Sequence, residues 1–158
     1  MNITLEPPDQ ADVRALIAEL DAYQDTLYPA EARYALDITS LAQPHVLFAV
    51  ARASTGSAIG CGAIVLEGAS GELKRMFVSP EYRGAGVAEQ VLRFLEAQAL
   101  ASACQEVLLE TGPYQADALR FYARHGYQRR AAFGSYPEHP LSVFMGKTLV
   151  AGTAYTAN

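Results

Sequence analysis

A glycine-rich turn, Arg83–Ala88, joins a short apolar segment to an amphipathic one and constrains this chain more than any other feature. Periodicity predicts a strand over Glu72–Val78 and a helix from Val87 to about Leu100. Glycines let a backbone approach an anion closely, and the first N–H groups of a helix have no partners within it. The helix dipole and the Arg83 guanidinium add positive charge at the same place. The segment therefore predicts a loop that binds a diphosphate or a similar group.

Two common phosphate-binding patterns do not describe this loop. The chain has no Gly-x-x-x-x-Gly-Lys-Ser/Thr string, which P-loop proteins need. The dinucleotide pattern Gly-x-Gly-x-x-Gly accounts for Gly84 and Gly86, but Glu89 stands at its third glycine. A carboxylate there would crowd the helix against its strand and repel pyrophosphate. A nucleotide-binding domain that uses this loop for a different phosphate is therefore disfavoured but stays an alternative.

A third pattern fits, because Arg83, Gly86 and Ala88 match the string Arg/Gln-x-x-Gly-x-Gly/Ala. This string resembles the pyrophosphate-binding signature of the GNAT superfamily of N-acetyltransferases. Downstream, Ala118–Tyr127 resembles the family's second signature, a helix carrying Tyr-x-x-x-Gly-Phe/Tyr, with matching order and spacing. The resemblance covers residues 1–149 and implies an enzyme that takes an acetyl group from acetyl-CoA.

The remaining pattern indicates one α/β domain over residues 1–149, with a frayed tail at residues 150–158. A chain of 158 residues with 51% hydrophobic residues can bury a core without external staples. Strands, then a helix, then further strands predict a mixed sheet with helices on both faces. The resemblance implies a mostly antiparallel central sheet of about six or seven strands with about four flanking helices, splayed between strands 4 and 5.

Several element boundaries follow from local patterns. Val13, Leu16, Ile17 and Leu20 recur on one helical face, and we expect Asp9 to cap that helix. Residues 23–44 are rich in Tyr, Pro and Ala and predict a loop with one short helix near Ile38–Ala42. The remaining predicted elements are strands at Ile3–Leu5, His45–Ala53, Ala58–Glu67, Val107–Leu109 and Leu141–Leu149, a turn at Gly68–Gly71, and a helix at Gln115–His125.

The resemblance implies how acetyl-CoA would be held. Arg83 would brace the loop, and a backbone N–H near Phe77 would polarise the thioester carbonyl. Met76 and Val78 would contact the amide arm of the cofactor. Gln115 stands where many relatives carry Asn, and it can still bond to backbone or cofactor groups. The backbone N–H groups implied for the diphosphate are those of Gly84, Ala85, Gly86, Val87 and Ala88.

Acetyl transfer to an amine also needs a proton donor and a proton acceptor. The resemblance places the hydroxyl of Tyr122 near the cofactor sulfur, where it would protonate the leaving thiolate. Glu72 stands where some members carry a general-base glutamate, and Glu110 is the second candidate for that role. The alternative roles are a core aromatic for Tyr122 and a solvated strand-end acid for Glu72.

The acceptor is predicted less directly. The first helix-loop region and the last hairpin line the acceptor pocket in similar folds, and aromatic residues in these segments suggest a small amine or an amino acid. The side chains concerned are Tyr23, Tyr28, Tyr34, Phe133, Tyr136 and His139. A peptide or protein amine is an alternative acceptor, and a non-catalytic acyl-CoA-binding sensor is an alternative function.

Composition bounds the partners and the compartment. A net charge of −5 argues against broad nucleic-acid binding. The chain has no apolar run of about 18 residues, which a membrane span would need. Cys61 and Cys104 form neither a disulfide framework nor a zinc pattern, so we expect no metal and a cytoplasmic protein. Family members are often dimers, which makes a homodimer one option.

Overall fold

The sheet and its helices are described by a computed structural model over residues 1–150. The helices are α1 (Ala11–Leu27), α2 (Ile38–Leu41), α3 (Val87–Ala101) and α4 (Ala116–Arg124), with 3₁₀ turns at Ala30–Ala32 and Pro80–Tyr82. The strands are β1 (Asn2–Leu5), β2 (Val46–Arg52), β3 (Ala58–Glu67), β4 (Ser70–Val78), β5 (Glu106–Thr111), β6 (Gln128–Arg130) and β7 (Val143–Thr148).

The seven strands form one sheet in the order β1-β2-β3-β4-β5-β7-β6. Every neighbouring pair is antiparallel except β4 and β5, which are parallel. The parallel pair arises because α3 crosses over between these two strands, as a parallel connection requires. The predicted mixed, mostly antiparallel sheet with its flanking helices is thus confirmed.

The two central strands diverge, as predicted. Ser70–Leu73 of β4 pairs with Glu106–Leu109 of β5, and beyond Leu73 the pairing stops while β4 continues to Val78. A β-bulge follows directly, because Phe77 pairs with Cys61 and Lys74 pairs with Ala63, which leaves one extra residue on β4. At this bulge Arg75 has a φ of 60°, a strained left-handed conformation for a residue with a side chain. The sheet therefore opens, and bends, at the same point.

An apolar core covers each face of the sheet. On one face α1 and α2 pack on β2 and β3, and Val13, Leu16, Ile17 and Leu20 are buried there as predicted. On the other face α3 packs on the sheet, together with Tyr122 of α4 and the ends of β5 and β7. This division leaves the β4–β5 opening flanked by α1 on one side and by α4 on the other.

Four local predictions are wrong. Helix α1 continues through residues 23–27, which were expected to be loop, because no Gly or Pro interrupts it before Pro29. Gln10 occupies its N-cap position, and Asp9 instead pairs with Arg14 at 2.7 Å. Strand β4 starts at Ser70, inside the predicted turn. Strand β6 was not predicted. The expected tail lies, from residue 151 onward, outside the described residues.

Candidate active site

A cavity of about 160 Å³ lies at the point where β4 and β5 diverge. Its walls come from α1 and the loop after it, from β4 around the bulge, from the end of β5, and from α4. Two of the predicted catalytic candidates, Tyr122 and Glu110, line this cavity, and Glu72 does not. The opening in the sheet thus brings an acid candidate and a base candidate to one space, although 12 positions separate them in sequence and they stand on different elements.

The glycine loop presents an open, positively polarised surface. Gly84 and Gly86 have φ values of 83° and 81°, and Gly86 is the N-cap residue of α3. A Cβ at Gly84 would meet nothing within 4 Å, and one at Gly86 would meet only the side chain of Gln90, at 3.8 Å. The glycines are therefore needed for the backbone conformation and leave room above the loop. The first N–H groups of α3 face this space without helical partners.

Arg83 holds the loop against the end of β4. Its Nε donates a hydrogen bond to the carbonyl oxygen of Val78 at 3.1 Å. Its guanidinium lies over the ring of Phe77, 5.4 Å from the ring centroid. The side chain remains exposed, so the charge is available at the loop surface while the stem fixes the loop. These contacts and the open helix N-terminus fit a bound diphosphate.

Tyr122 is buried on α4 with its hydroxyl unused. Its ring makes edge contacts with Phe121 and Tyr127 at centroid distances of 5.3 and 5.7 Å. Within residues 1–150 no group forms a hydrogen bond with its hydroxyl. Burial raises the pKa of Tyr122, so the phenol keeps its proton throughout the ordinary pH range. The side chain is thus a protonated donor that lines the cavity.

Glu72 is engaged by its neighbours on β4 and in the last loop. Its carboxylate accepts a hydrogen bond from the hydroxyl of Tyr136 and lies 3.3 Å from Nζ of Lys74. The same ammonium donates to the Tyr136 hydroxyl at 2.7 Å and to the Tyr34 carbonyl oxygen at 2.8 Å. Glu72 therefore belongs to a small network that ties the β6–β7 loop to the sheet.

Glu110 stands near the end of β5 and is less constrained. Burial raises the pKa of its carboxyl, and the charge of Glu72 acts in the same direction. A hydrogen bond with Ser142 and the positive charge of Lys74 oppose this rise. Among the described residues no cation lies within ion-pair distance of Glu110. A carboxylate with a raised pKa, no ion pair and access to a cavity has the properties of a general base.

The predicted cofactor contacts are distributed along β4 and α4. Met76 and Gln115 line the cavity, while Phe77 and Val78 are buried further along β4, toward the glycine loop. Gln115 occupies the N-cap position of α4, and its side-chain oxygen lies 3.4 Å from the hydroxyl of Thr111. The open part of β4 therefore leads from the cavity toward the glycine loop.

The aromatic residues expected at the acceptor pocket separate into two groups. Tyr28 and Tyr34 line the cavity, and the ring of Tyr136 contacts that of Tyr34 edge-on, with 5.0 Å between the ring centroids. Phe133 packs on Tyr136 at 5.3 Å. Tyr23 and His139 do not line the cavity.

Tyr28, one of the residues that line the cavity, is held in place by the loop before α4. Its hydroxyl accepts a hydrogen bond from the backbone N–H of Tyr114 at 3.1 Å, and the two rings stack at 5.4 Å. A Cβ at Gly112 would overlap the Tyr28 hydroxyl, so only glycine lets the tyrosine lie there. This contact joins the end of α1 to the loop that starts α4.

Sequence reasoning missed four charged residues of the cavity wall, namely Asp21, Arg33, Lys74 and Arg75. Arg75 donates to both carboxylate oxygens of Asp21 on α1, at 2.8 and 3.2 Å, and its side chain is only 7% exposed. Arg33 lines the same cavity and pairs with Asp25. The available signal was a pair of consecutive cations, Lys74 and Arg75, directly between the apolar residues Leu73 and Met76 of a strand, where charged residues are rare without a partner.

Two properties of the described residues bear on the kind of site. Within residues 1–150, no group of three or more His, Cys, Asp or Glu side chains is placed to hold a metal ion. None of the helices in this part of the chain is long and apolar enough to cross a membrane.

Comparisons with known proteins agree with this geometry. The sequence matches the acetyltransferase (GNAT) family over residues 13–127. It is 46% identical over 152 residues to a protein of Azospirillum brasilense named IAA acetyltransferase, covering 94% of this chain and 99% of that protein. It is 32% identical over 152 residues to YsnE of Bacillus subtilis, named an uncharacterized N-acetyltransferase, with 94% and 100% coverage.

Solved structures show the same fold. A candidate acyl-CoA N-acyltransferase from Klebsiella pneumoniae is 42% identical, with a TM-score of 0.81, and the alignment covers 94% of this chain and 97% of that one. A PaiA N-acetyltransferase from Thermoplasma acidophilum, in complex with coenzyme A, is 19% identical, with a TM-score of 0.68 and coverage of 94% and 99%.

Proposed function

This chain belongs to the GNAT family of acetyltransferases and uses acetyl-CoA, and from this premise we propose that it acetylates a primary amine of a small molecule or amino acid by direct transfer. The observation that carries the proposal is the shared cavity, which a protonated Tyr122 and a carboxylate of raised pKa, Glu110, both line. We propose that residues 1–149 act as one domain. A homodimer stays a prediction, which light scattering would check.

The cofactor would be held by residues that the structure leaves available for it. The N–H groups from Gly84 to Ala88 would bind the diphosphate, with Arg83 fixing the loop. The open part of β4, from Met76 to Val78, would hold the amide arm, since its backbone has no partner strand on the β5 side. Gln115 would contact the arm from the start of α4.

The reaction needs two proton movements. When bound, acetyl-CoA supplies a thioester whose carbonyl carbon forms a C–N bond with the amine as its C–S bond breaks. A carboxylate of this chain takes one proton from the amine nitrogen. The hydroxyl of Tyr122 gives a hydrogen bond, and then its proton, to the departing sulfur. Burial raises the pKa of Tyr122, so its phenol is a weak acid. The proton therefore moves to the sulfur only as negative charge develops there during C–S bond cleavage.

Two carboxylates compete for the role of base. Glu72 is the residue that the family resemblance suggested, but Tyr136 and Lys74 occupy its carboxylate. Glu110 lines the cavity and has the raised pKa, which favours it. A base works only when deprotonated, so kcat/KM should fall as the pH drops through the pKa of the true base. In the Glu110→Gln variant, kcat/KM should be about 100-fold lower and should no longer fall with decreasing pH. In Glu72→Gln, the fall of kcat/KM at low pH should remain. The reverse result would assign the role to Glu72.

Calorimetric titration with acetyl-CoA, followed by an amine panel read by thiol release, tests the function. We expect binding that ATP and NAD do not reproduce, and turnover with at least one amine. IAA, after which the Azospirillum relative is named, is tested separately from the amines as a further acceptor. Binding without turnover on any amine, including peptide amines, would favour the sensor alternative.

A matched pair of variants tests the loop. Gly86→Glu adds bulk and negative charge at the diphosphate position and should abolish acetyl-CoA binding. Gly68→Glu makes the same change at another exposed glycine of positive φ, in the β3–β4 turn, where a Cβ would meet nothing within 4 Å. Acetyl-CoA affinity should be unchanged in this control. Equal losses in the two variants would trace the effect to backbone strain and withdraw the loop assignment.

A further inference from the structure

Lys74, a lysine of the cavity wall, has all three of its ammonium donors in use. Its Nζ donates to the Tyr136 hydroxyl at 2.7 Å and to the Tyr34 carbonyl oxygen at 2.8 Å. It also lies 3.3 Å from the carboxylate of Glu72. An ammonium has three donors, so this set is complete. The positive charge is therefore fixed at one point by β4, the loop after α1 and the β6–β7 loop, on a side chain that is 14% exposed.

Strand pairing places Glu110 beside this lysine. Leu73 of β4 and Leu109 of β5 form the last pair before the two strands diverge, and both are buried on the α3 face of the sheet. Lys74 and Glu110 are the next residues on these strands. Side chains alternate between the two faces of a sheet, so Lys74 and Glu110 both project to the α1 face, where both line the cavity.

Tyr136 spans β5 at the level of Glu110. Strand β5 lies between β4 and β7, and Glu110 pairs with Phe144 of β7. The ring of Tyr136 contacts that of Phe144, with 5.6 Å between the ring centroids, while its hydroxyl reaches Lys74 on β4. A side chain that contacts both neighbours of β5 crosses the strand between them. Glu110 therefore lies between Phe144 and Lys74, beneath Tyr136.

Two charges act on the carboxyl of Glu110 in opposite directions. Burial raises the pKa of Glu110, and the negative charge of Glu72 adds to this rise. A hydrogen bond with Ser142 and the positive charge of Lys74 lower the pKa. Because Lys74 lies beyond ion-pair distance, its charge acts on Glu110 without occupying the carboxylate oxygens. The oxygens thus stay open to an amine while the charge favours the ionised form.

The other titratable groups of the cavity wall are paired or uncharged. The two arginines are each bound to an aspartate, and tyrosine side chains are uncharged at neutral pH. The groups concerned are Asp21, Tyr28, Arg33, Tyr34, Arg75 and Tyr122. Lys74 is therefore the cation of this wall whose charge bears on the candidate base.

We propose that Lys74 is a positioning residue of the reaction, whose fixed positive charge keeps Glu110 ionised so that it can take a proton from the acceptor amine. This inference rests on the proposed acetyl transfer and deepens it by naming what sets the protonation of the base. Tyr34 and Tyr136 hold the ammonium in place. Glu72, which the family resemblance suggested as the base, instead supports Lys74 and opposes its effect on Glu110.

The pH dependence of kcat/KM in charge variants tests the inference. A base that has lost a nearby cation keeps its proton to higher pH, so the midpoint of the fall in kcat/KM should move to higher pH in Lys74→Met. Glu72→Gln removes the opposing charge and should move the midpoint to lower pH. At the wild-type midpoint, and with each profile scaled to its own plateau, we expect kcat/KM to be at least about threefold lower in Lys74→Met than in Glu72→Gln. Structural damage alone would lower the plateau and leave the midpoint in place.

Two further variants separate charge from shape. Lys74→Arg keeps the positive charge and should keep the wild-type midpoint, whatever its plateau. Arg33→Met removes a positive charge from the same cavity wall, but one that is paired with Asp25, and should also keep the midpoint. Equal shifts in Arg33→Met and Lys74→Met would overturn the assignment to Lys74. If circular dichroism shows that Lys74→Met does not fold, the shift in Glu72→Gln decides, and an unmoved midpoint there refutes the role.

A direct titration of Glu110 makes the inference testable without turnover. The NMR signal of its carboxyl carbon can be assigned by its absence in Glu110→Gln. This signal should titrate at higher pH in Lys74→Met, and at lower pH in Glu72→Gln, than in the wild-type protein. If both shifts are seen and no amine is acetylated, the proposed transfer fails and the coupling of Lys74 to Glu110 stands. If amines are acetylated and neither the signal nor the kcat/KM profile moves, acetyl transfer stands and the role of Lys74 falls.

Discussion

Two buried polar groupings of this fold differ in how completely their hydrogen bonds are met. The first, which we name the clamp, consists of Glu96 on α3, Tyr127 after α4 and Lys147 on β7. Glu96 is 3% exposed, accepts from the Tyr127 hydroxyl at 2.7 Å and pairs with Lys147 at 2.8 Å. The clamp ties three elements together, and its carboxylate has a partner on each oxygen.

The second grouping is the cavity wall at the sheet opening. There Tyr122 has a hydroxyl without a partner in residues 1–150, Glu110 has no ion pair, and Arg33 and Arg75 each keep a spare donor. Burying such groups is unfavourable unless something completes them. The difference teaches that complete polar networks in this protein hold elements together, whereas incomplete ones lie where a ligand is expected.

The largest expected effect comes from breaking the clamp. Lys147→Met leaves the buried carboxylate of Glu96 without its cation and should lower the free energy of unfolding by about 3–4 kcal/mol in urea titrations. Arg93→Met is the control, because it breaks an exposed i,i+4 pair with Glu89 and should cost less than about 0.5 kcal/mol. Similar losses in the two variants would show that the clamp is no stronger than a surface pair.

The second prediction removes a hydroxyl from the incomplete grouping. Tyr122→Phe should lower kcat about 100-fold, because a proton donor is lost, while acetyl-CoA affinity stays unchanged. The free energy of unfolding should change by less than about 1 kcal/mol, since no hydrogen bond to protein is broken. An unchanged kcat in steady-state assays would return Tyr122 to the role of a core aromatic.

The third prediction makes the same substitution in the clamp. Tyr127→Phe removes a hydrogen bond to a buried carboxylate and should cost about 2 kcal/mol of stability. Because Tyr127 lines no part of the cavity, kcat should stay within about twofold of the wild-type value at a temperature where the variant is folded. If Tyr127→Phe instead lowered kcat strongly with little loss of stability, the clamp would have a catalytic role, and the proposed difference between the two groupings would be wrong.

The smallest effect is expected at a third, partly exposed network. Arg52 binds Glu6 at 2.8 Å and holds the pKa of that carboxyl at about 2, against an ordinary value of 4.5. The contribution of this ion pair to the free energy of unfolding is therefore fully present above pH 4.5 and is lost as the pH falls toward 2. Glu6→Gln should flatten this part of a stability-versus-pH curve by about 1 kcal/mol. If stability fell equally at low pH in the wild-type protein and in Glu6→Gln, the pH dependence would not come from Glu6.

The sequence predicted those parts of the molecule that depend on local patterns. Residues close together in the sequence determine three of these parts: the glycine loop, the amphipathic face of α1 and the strand before the loop. Strand β6 was missed because Gln128–Arg130 has three exposed polar residues and no alternation to detect.

The cavity wall depended on contacts between distant residues. Arg75 meets Asp21 across 54 positions, and Tyr136 meets Glu72 across 64. No local pattern encodes such pairs, nor the positive φ of Arg75, because both depend on how the sheet bends. Sequence reasoning therefore identified Tyr122 and Glu110 as candidates but could not show that Glu110, rather than Glu72, reaches the cavity.

The contact between Tyr28 and Gly112 has a consequence for how this protein changes under selection. Any side chain at position 112 would overlap the Tyr28 ring, so position 112 can change only after position 28 has lost its tyrosine. In a library built to widen acceptor range, productive variants should therefore arise as double replacements of positions 28 and 112. A screen restricted to single substitutions would pass over them.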